Sequence, residues 1–282
     1  MHEIVAKREL ARKIKLIEVA APAVAQKAQA GQFVIVRVDD KAERIPLTLA
    51  DWDGRKGTLT LIFQEVGAST EKMGLLKAGD AVADICGPLG NPSEVLKVGN
   101  VCVVGGGVGA APALPIIKAM KQAGNRVVAI IAAKAADMLI LEEETSRAAD
   151  ELYISTDDGS KGQKCFACDM VKILVDRGLH FDIVYAIGPT VMMRTVADVT
   201  KPLNIKTIVS LNPIMVDGMG MCGACRVNVG GKTRFACVDG PEFDAHQVDF
   251  HELQERQAAF LREEKQAVEH WQAQMCGRHQ QG

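Results

Sequence analysis

The stretch V-C-V-V-G-G-G-V-G-A, residues 101–110, decides how most of this chain folds. Residues 101–104 form a continuous apolar run, which suits a strand buried on both faces of a parallel sheet. Glycines follow at once, and residues 110–123 then have the composition of a helix that ends at Gly124. A strand, a glycine loop and a helix in this order predict the first unit of a doubly wound α/β domain.

The glycine loop reads G-x-G-x-x-A, and we predict that Gly105, Gly107, Val108 and Gly109 contact a nucleotide. Glycine lets the backbone approach a phosphate, and the N-terminus of the following helix offers free N–H groups. The acidic residue that an NAD-binding Rossmann domain carries about twenty residues later is absent, because the next strand runs into Lys134. The pattern therefore favours a reductase domain that binds pyridine nucleotide differently.

The alternation of strands and helices continues, so we predict an α/β domain over residues 99–208. Further strands are expected at 126–133, 151–155 and 183–187, and further helices at 140–149, 169–177 and 191–200. The segments after the later strands are candidates for the other edge of the nucleotide site, and they contain Asp157, Asp158, Gly188 and Met192.

Residues 1–98 have a different pattern, with short runs of β-branched residues separated by turn signals. These runs are residues 14–19, 33–38, 58–63 and 81–85. Regular short strands of this kind predict a small antiparallel β-barrel. Two turn-like segments lie in this region, R-I-P-L-T at 44–48 and G-A-S-T at 67–70. The second offers hydroxyl groups and a helix N-terminus to a pyrophosphate.

Residues 209–250 carry a cysteine motif and little else, beginning with D-G-M-G-M-C-G-A-C at 217–225. Cys222, Cys225 and Cys237 are thiols, and Asp217 stands where a plant-type two-iron cluster has its first cysteine. The pattern predicts a [2Fe–2S] site with these four residues as ligands. Zinc is the alternative, because it also takes a C-x2-C pair with a distal cysteine, although no histidine lies nearer than His246.

Two features of the chain are less informative. Cys165 and Cys168 form a second C-x2-C pair, but no other nearby pair completes a metal site. Residues 251–275 predict one long polar helix, followed by a tail to residue 282. Its narrow apolar stripe fits packing on the protein's own surface, with binding of a partner as the alternative.

The composition excludes several classes of protein. The chain has 282 residues, a net charge of −2 and 48% hydrophobic residues, so we expect several soluble domains without a basic field for nucleic acid. No apolar stretch is long and uninterrupted enough for a membrane span, and the N-terminus lacks the apolar core of a signal peptide. We therefore expect a cytoplasmic protein, in which clustered thiols bind metal rather than form disulfides.

The predicted sites imply a third cofactor. A pyridine nucleotide delivers two electrons together, whereas a [2Fe–2S] cluster accepts one at a time, and a flavin can do both. We therefore expect a flavin in the barrel.

With these motifs, the chain resembles the ferredoxin–NADP reductase superfamily, and within it the branch that contains the electron-transfer subunit of dihydroorotate dehydrogenase. The resemblance lies in residues 44–48, in residues 67–70 and in the G-P-L-G-N turn at 87–91. It implies an FAD site formed by Arg44, Pro46, Leu47, Thr48, Ile62, Phe63, Gln64, Gly67, Ser69 and Thr70.

Residues 210–227, with Asp217 in place of the first cysteine, most resemble the small subunits of the NADH-dependent reduced ferredoxin:NADP oxidoreductase family. The resemblance implies FAD, a [2Fe–2S] cluster and NAD(H), with NADP(H) as the alternative. It also implies a complex with a larger NADP-binding subunit that holds a second FAD and [4Fe–4S] clusters, exchanges electrons with ferredoxin and performs electron bifurcation. Cys165 and Cys168 depart from the family, whose members have a glycine-containing turn there.

Other functions fit the same motifs. The chain is alternatively the electron-transfer subunit of a dihydroorotate dehydrogenase, hydrogenase or sulfide dehydrogenase type complex. A stand-alone NADPH:ferredoxin reductase is disfavoured by the built-in cluster motif. A zinc-binding module without redox activity would be colourless and would contain stoichiometric zinc.

Overall fold

A computed structural model describes the backbone of residues 1–279 and the side chains as far as Met275. The last three residues, which end the predicted tail, lie outside the described residues. The first part of the chain is an antiparallel sheet with two short helices. Its strands are β1 (His2–Ala11), β2 (Ile14–Ala20), β3 (Phe33–Arg37), β4 (Arg44–Asp53), β5 (Thr58–Gln64), β6 (Ala81–Val82) and β7 (Asp84–Leu89), and its helices are α1 (Pro22–Ala25) and α2 (Ala68–Leu75).

The antiparallel sheet closes on itself. Its strand order is β6-β1-β2-β5-β4-β3-β7, so β6 and β7 form opposite edges. Only Ala83 separates these two strands in sequence, and the sheet must therefore curl until its edges meet. Aliphatic side chains with Phe63 and Met73 fill the interior.

The second part of the chain is a parallel sheet with helices on both faces. Its strands are β8 (Asn100–Gly106), β9 (Arg126–Ala133), β10 (Glu151–Thr156), β11 (Gln163–Lys164), β12 (Ile183–Ile187) and β13 (Lys206–Ser210), and its helices are α3 (Ala110–Gln122), α4 (Glu142–Ala148), α5 (Ala167–Asp176) and α6 (Thr190–Thr200). The strand order is β11-β10-β9-β8-β12-β13, so the winding reverses between β8 and β12. The predicted fold class, a barrel followed by a doubly wound domain, is confirmed.

The C-terminal part contains more structure than the cysteine motif alone. It forms a hairpin of β14 (Arg226–Val229) and β15 (Lys232–Phe235), a strand β16 (Glu242–Asp244), and the helices α7 (Phe250–Ala258) and α8 (Leu261–His279). Strand β16 pairs antiparallel with β13 and extends the parallel sheet. The expectation that residues 209–250 carry little besides the cysteine motif was wrong. The domain boundaries at residues 98, 208 and 250 stay predictions.

Four local predictions were wrong. Residues 44–48 form the first half of β4 rather than a turn, and residues 81–85 split into two strands at opposite edges of the barrel. The helix expected from residue 140 begins at Glu142, because Leu141 has a left-handed backbone with φ of 58°. The single helix expected over 251–275 breaks at Ala259 and Phe260 into α7 and α8. None of the helices in the described part of the chain has the length and apolarity needed to cross a membrane.

The three parts pack against one another. Ile14, Ala50 and Ile62 of the barrel share an apolar cluster with Ala110 at the start of α3. The helix α8 returns to the barrel, where Trp271 lies under the ammonium group of Lys72, 5.6 Å from the ring centroid. These contacts fix the barrel against both later parts of the chain.

A buried carboxyl group also joins the parts. Ser93, in the segment between the barrel and β8, donates a hydrogen bond of 2.6 Å to Oε1 of Glu242 on β16. Burial raises the pKa of Glu242 to about 7, against an ordinary value of 4.5, and the Ser93 hydrogen bond only partly opposes this shift. The other titratable groups that face this region are Tyr185 and Glu94. The folded protein therefore binds the proton of Glu242 more tightly than the unfolded chain does.

We predict that Glu242 makes the protein less stable as the pH rises. Because its folded pKa is raised, the carboxyl contributes its full stability below about pH 4.5 and loses it as the pH rises through about 7. Glu242→Gln keeps an acceptor for Ser93 but cannot ionise. The melting temperature of the variant should match wild type at pH 4 and exceed it at pH 8. Parallel melting profiles over this range would contradict the prediction.

Candidate functional site

The cysteine loop is organised around the carboxylate of Asp217. Its Oδ1 accepts a hydrogen bond of 2.8 Å from the N–H of Met219, and its Oδ2 accepts bonds of 3.1 and 2.7 Å from Met221 and Cys222. The Met219 bond is the largest of the effects that hold the pKa of Asp217 below its usual value, so the group is ionised at neutral pH. Asp217 therefore shapes the loop, because its carboxylate accepts hydrogen bonds from three backbone N–H groups of that loop.

Two of the predicted thiol ligands lie side by side in the interior. Cys225 and Cys237 are each 2% exposed, and their sulfur atoms lie 3.2 Å apart. This separation is too long for a disulfide, whose sulfurs lie about 2.05 Å apart. Burial raises the pKa of Cys237 to about 12, so binding of a metal ion to this sulfur must release a proton.

The four predicted ligands form two pairs rather than one cluster of four. Cys225 and Cys237 make one pair, and the exposed Cys222 lies beside Asp217, whose carboxylate hydrogen-bonds with its side chain. Within the described residues, no three Cys, His, Asp or Glu side chains stand together as a mononuclear metal site. Each iron of a [2Fe–2S] cluster takes two protein ligands, whereas structural zinc needs four that converge. The paired arrangement therefore fits a two-iron cluster better than zinc.

The loop packs directly on the barrel. Cys225 and Cys237 share an apolar cluster with Phe33 and Ile35 of β3. Gly218 has a φ of 76°, and a side chain there would meet Ile35 at 2.7 Å. Only glycine combines this backbone with so close an approach. The predicted cluster ligands thus lie against the wall of the barrel.

The arginine of the predicted FAD motif touches the cysteine loop. Arg44 Nε donates a hydrogen bond of 3.1 Å to the carbonyl of Val216, the residue before Asp217. Its guanidinium also lies 3.7 Å from Asp84 on β7. The candidate flavin strand and the candidate cluster loop are therefore in contact.

Strand alternation separates the other predicted FAD residues into two sets. Side chains of β4 alternate, and Leu47 packs on the barrel core, so Pro46 and Thr48 share the opposite face with Arg44. On β5, Phe63 is a buried core residue, whereas Ile62 faces α3. Gln64 is half-buried at the end of that strand. The side chains of Leu47 and Phe63 therefore pack in the barrel core, away from the face that carries Arg44.

The segment at 67–70 forms the N-terminus of α2. Thr70 Oγ1 accepts hydrogen bonds from the N–H groups of Val66 and Gly67, so it caps the helix. Ser69 Oγ donates to Glu43 at 3.2 Å. A side chain at Gly67 would meet no other atom within 4 Å. The backbone φ of Gly67 is −141°, a conformation that any residue can adopt. Open space therefore adjoins the helix N-terminus at Gly67.

The predicted nucleotide residues meet where the sheet reverses its winding. β8 and β12 are neighbours, and their carboxyl ends lead into the loops at Gly105–Gly109 and at Gly188. A side chain at Gly109 would lie 2.2 Å from the carbonyl oxygen of Ile187, and one at Gly106 would lie 2.2 Å from the sulfur of Met192. The reversal point of an open α/β sheet is its usual ligand site.

Asp157 and Asp158 lie at the same edge of the sheet but further away. Both follow β10, which is two strands from β8 in the sheet order. Both are exposed, and Asp158 accepts hydrogen bonds from the backbone and hydroxyl of Ser160. Val108 packs with the apolar residues between the barrel and α3. The structure thus unites Gly105–Gly109 with Gly188 and Met192, and places the two aspartates at the flank.

Sequence reasoning missed a polar network that ties these sites together. Thr190 Oγ1, at the start of α6, lies 2.8 Å from Oε1 of Gln257 on α7. Gln257 donates in turn to the carbonyl of Asn212 at 2.9 Å, and Arg256 donates to the carbonyl of Ala224 at 3.1 Å. Helix α7 therefore contacts both the start of α6, which follows the Gly188 loop, and the cysteine loop.

The second C-x2-C pair lies at the start of α5. Cys165 and Cys168 are half-buried, and both pack against the main apolar cluster of the α/β domain. Burial is the largest of the effects that raise the pKa of Cys165, ahead of the nearby Asp169. This environment suits apolar packing.

The cysteine loop matches a known domain. Residues 212–249 match the iron–sulfur cluster binding domain of dihydroorotate dehydrogenase B. The match contains all four predicted ligands and ends before α7 begins at Phe250.

Full-length relatives are similar along nearly the whole chain. A protein of Clostridium beijerinckii described as uncharacterized, from the adh 3' region, is 50% identical and covers 95% of this chain and 93% of its own. A dihydroorotate dehydrogenase B (NAD(+)) electron transfer subunit homolog of Thermotoga maritima is 45% identical and covers 95% of both chains. A solved structure of an NADH-dependent reduced ferredoxin–NADP oxidoreductase has a TM-score of 0.92 at 44% identity, covering 96% of this chain and 98% of its own.

These findings confirm the predicted resemblance and the predicted cofactors, FAD, a [2Fe–2S] cluster and NAD(H). The individual contacts to each cofactor stay predictions. Together with the fold, the relatives show that the chain is an oxidoreductase subunit that works with a larger partner, and that it belongs to the family of dihydroorotate dehydrogenase B electron-transfer subunits and their homologues.

Proposed function

We propose that the chain is the small subunit of an NADH-dependent reduced ferredoxin:NADP oxidoreductase, passing electrons between NAD(H) and a larger subunit. The observation that carries the proposal is the hydrogen bond from Arg44 to Val216, which joins the candidate flavin strand to the cysteine loop. Electrons that pass from the nucleotide through the flavin to the cluster need the flavin strand and the cysteine loop to be in contact. The likeness to a structure of that enzyme over 96% of the chain supports the same function.

The outer face of β4 and the N-terminus of α2 are the proposed FAD site. Arg44 places a permanent positive charge there, and the positive end of the α2 dipole favours a phosphate. Pro46, Thr48 and Ser69 complete the surface. FAD, when bound, exchanges two electrons with a nicotinamide and single electrons with an iron–sulfur cluster. The protein's part is to hold it between the two other sites.

The loop at Gly105–Gly109 is the proposed site for the nucleotide phosphates. A side chain at Gly107 would meet nothing within 4 Å, so ligand atoms can approach this backbone. The N-terminus of α3 favours their negative charge. Gly188, just before α6, and Met192, on α6, support the loop, and Asp157 and Asp158 would contact a more distant part of the nucleotide.

Asp217 and Cys222 are the proposed ligands of one iron, and Cys225 and Cys237 those of the other. The two carboxylate oxygens of Asp217 offer about four lone pairs, of which the loop N–H groups use three. The remaining position belongs to Oδ1, so Asp217 can bind iron without releasing the loop. As a harder ligand than thiolate, it should alter the reduction potential of the cluster.

The proposal includes the partner and the location. The larger subunit is proposed to bind NADP, to hold a second FAD and [4Fe–4S] clusters, and to exchange electrons with ferredoxin in the cytoplasm. A second candidate is the electron-transfer subunit of a dihydroorotate dehydrogenase, favoured by the match of residues 212–249. The larger protein that copurifies with the chain separates the two.

We predict that the purified chain contains about one FAD and about two irons, and that NADH reduces both under anaerobic conditions. The measurements are iron, zinc and flavin assays, the visible spectrum, and a rhombic EPR signal at low temperature. Gly109→Ala should lose reduction by NADH but keep reduction by dithionite, because its side chain would meet the backbone of Ile187. Stoichiometric zinc without iron or flavin would contradict the proposal.

We predict that Gly67→Ala weakens FAD binding at least tenfold with little effect on the fold. The new methyl group has no protein neighbour within 4 Å, so only a bound ligand can oppose it. Alanine at this helix start costs at most about 1 kcal/mol of stability. Gly54→Ala, which meets only ordinary contacts at 3.5 Å, is the matched control. Equal FAD affinity in the two variants would argue against this site.

A further inference from the structure

A groove lies between the cysteine loop and α7. It has a volume of about 370 Å³, and Pro213, Ile214, Ala224, Leu253, Ala259 and Phe260 form its apolar part. One wall belongs to the matched iron–sulfur domain, and the other belongs to the helix that follows that domain. The groove therefore exists only where both are present.

The rim of the groove carries two arginines. Arg226 is exposed and Arg256 is half-buried, and both line the groove beside its apolar floor. Their guanidinium groups donate to the carbonyls of Gly223 and Ala224. Among the side chains that the structure describes, no carboxylate forms a salt bridge with either arginine. The rim thus presents two positive charges with which the carboxylates of a partner can pair.

Exposed apolar side chains lie both at the groove and in the cysteine loop. Phe260 is 54% exposed at the junction of α7 and α8, and Met221 is 83% exposed next to Cys222. Ala224, in the wall of the groove, precedes Cys225 directly. A segment bound in the groove would therefore lie one residue from a cluster ligand, where single electrons leave the chain.

We propose that this groove docks an acidic segment of the larger subunit that carries an apolar side chain. The carboxylates would pair with Arg226 and Arg256, and the apolar side chain would lie on Ile214 and Phe260. This assignment rests on the proposed function, which supplies the larger subunit. Because one wall is α7, the groove selects a partner by a feature outside the iron–sulfur domain itself.

The test compares variants of the chain loaded with FAD and iron, binding to the larger subunit purified from the same organism. Arg226→Glu reverses a charge on the rim, and Lys232→Glu makes the same change at an exposed site on β15 as its control. Phe260→Ser removes the apolar contact without touching the cysteine loop, and Leu203→Ser, at a residue 42% exposed elsewhere, is its control. Flavin and iron contents and reduction by NADH are measured on each chain alone.

We expect at least tenfold weaker binding for Arg226→Glu and Phe260→Ser, and at most twofold weaker binding for the two controls. The defect of Arg226→Glu should shrink in high salt, because added ions screen the lost attraction. Binding of both variants at the level of their controls would overturn the proposal. Self-association of the wild-type chain that Phe260→Ser abolishes would also overturn it, because a second copy would then fill the groove. A wild-type chain without flavin and iron would overturn the proposed function, and the docking assignment with it.

Discussion

The ionised carboxylate of Asp217 is the interaction on which the redox end of this molecule depends. Three backbone N–H groups within five residues converge on it, and they bend the loop so that Cys222 returns beside Asp217. The same bend leaves Cys225 buried next to Cys237. An aspartate can do this because it accepts several hydrogen bonds and keeps a lone pair for a metal, whereas a thiolate is a weak acceptor. Aspartate at the position of the first cysteine therefore organises the loop through these hydrogen bonds and, as the proposed ligand, would change the chemistry at one iron.

The barrel brings the three proposed cofactor sites together. The cysteine loop packs on β3, Arg44 of β4 reaches its backbone, and α3, which begins at the nucleotide loop, packs on β2 and β5. Helix α7 adds a second connection through Thr190 and Gln257. Electron transfer through a protein requires short and fixed distances between centres. In the proposed arrangement, the segments that form each site pack directly against the segments that form the next one.

Much of this architecture follows from local sequence. The apolar run at 101–104 and the glycines after it predicted both a central strand and the site at its carboxyl end. Strand β4 was missed because Pro46 and the polar residues around it suggest a turn, although β3 pairs along its first half. The break at Ala259 and Phe260 has no glycine or proline to mark it. The network of Thr190, Asn212 and Gln257 joins residues up to 67 positions apart, which only the folded chain brings together.

The central claim is that Asp217 binds iron as well as the loop. An EPR-monitored redox titration of the wild-type chain and of Asp217→Cys tests it most directly. If Asp217 is a ligand, both proteins should hold about two irons and give a rhombic signal, and their midpoint potentials should differ, because the substitution replaces oxygen by sulfur at one iron. Identical midpoints and identical spectra would show that Asp217 only shapes the loop.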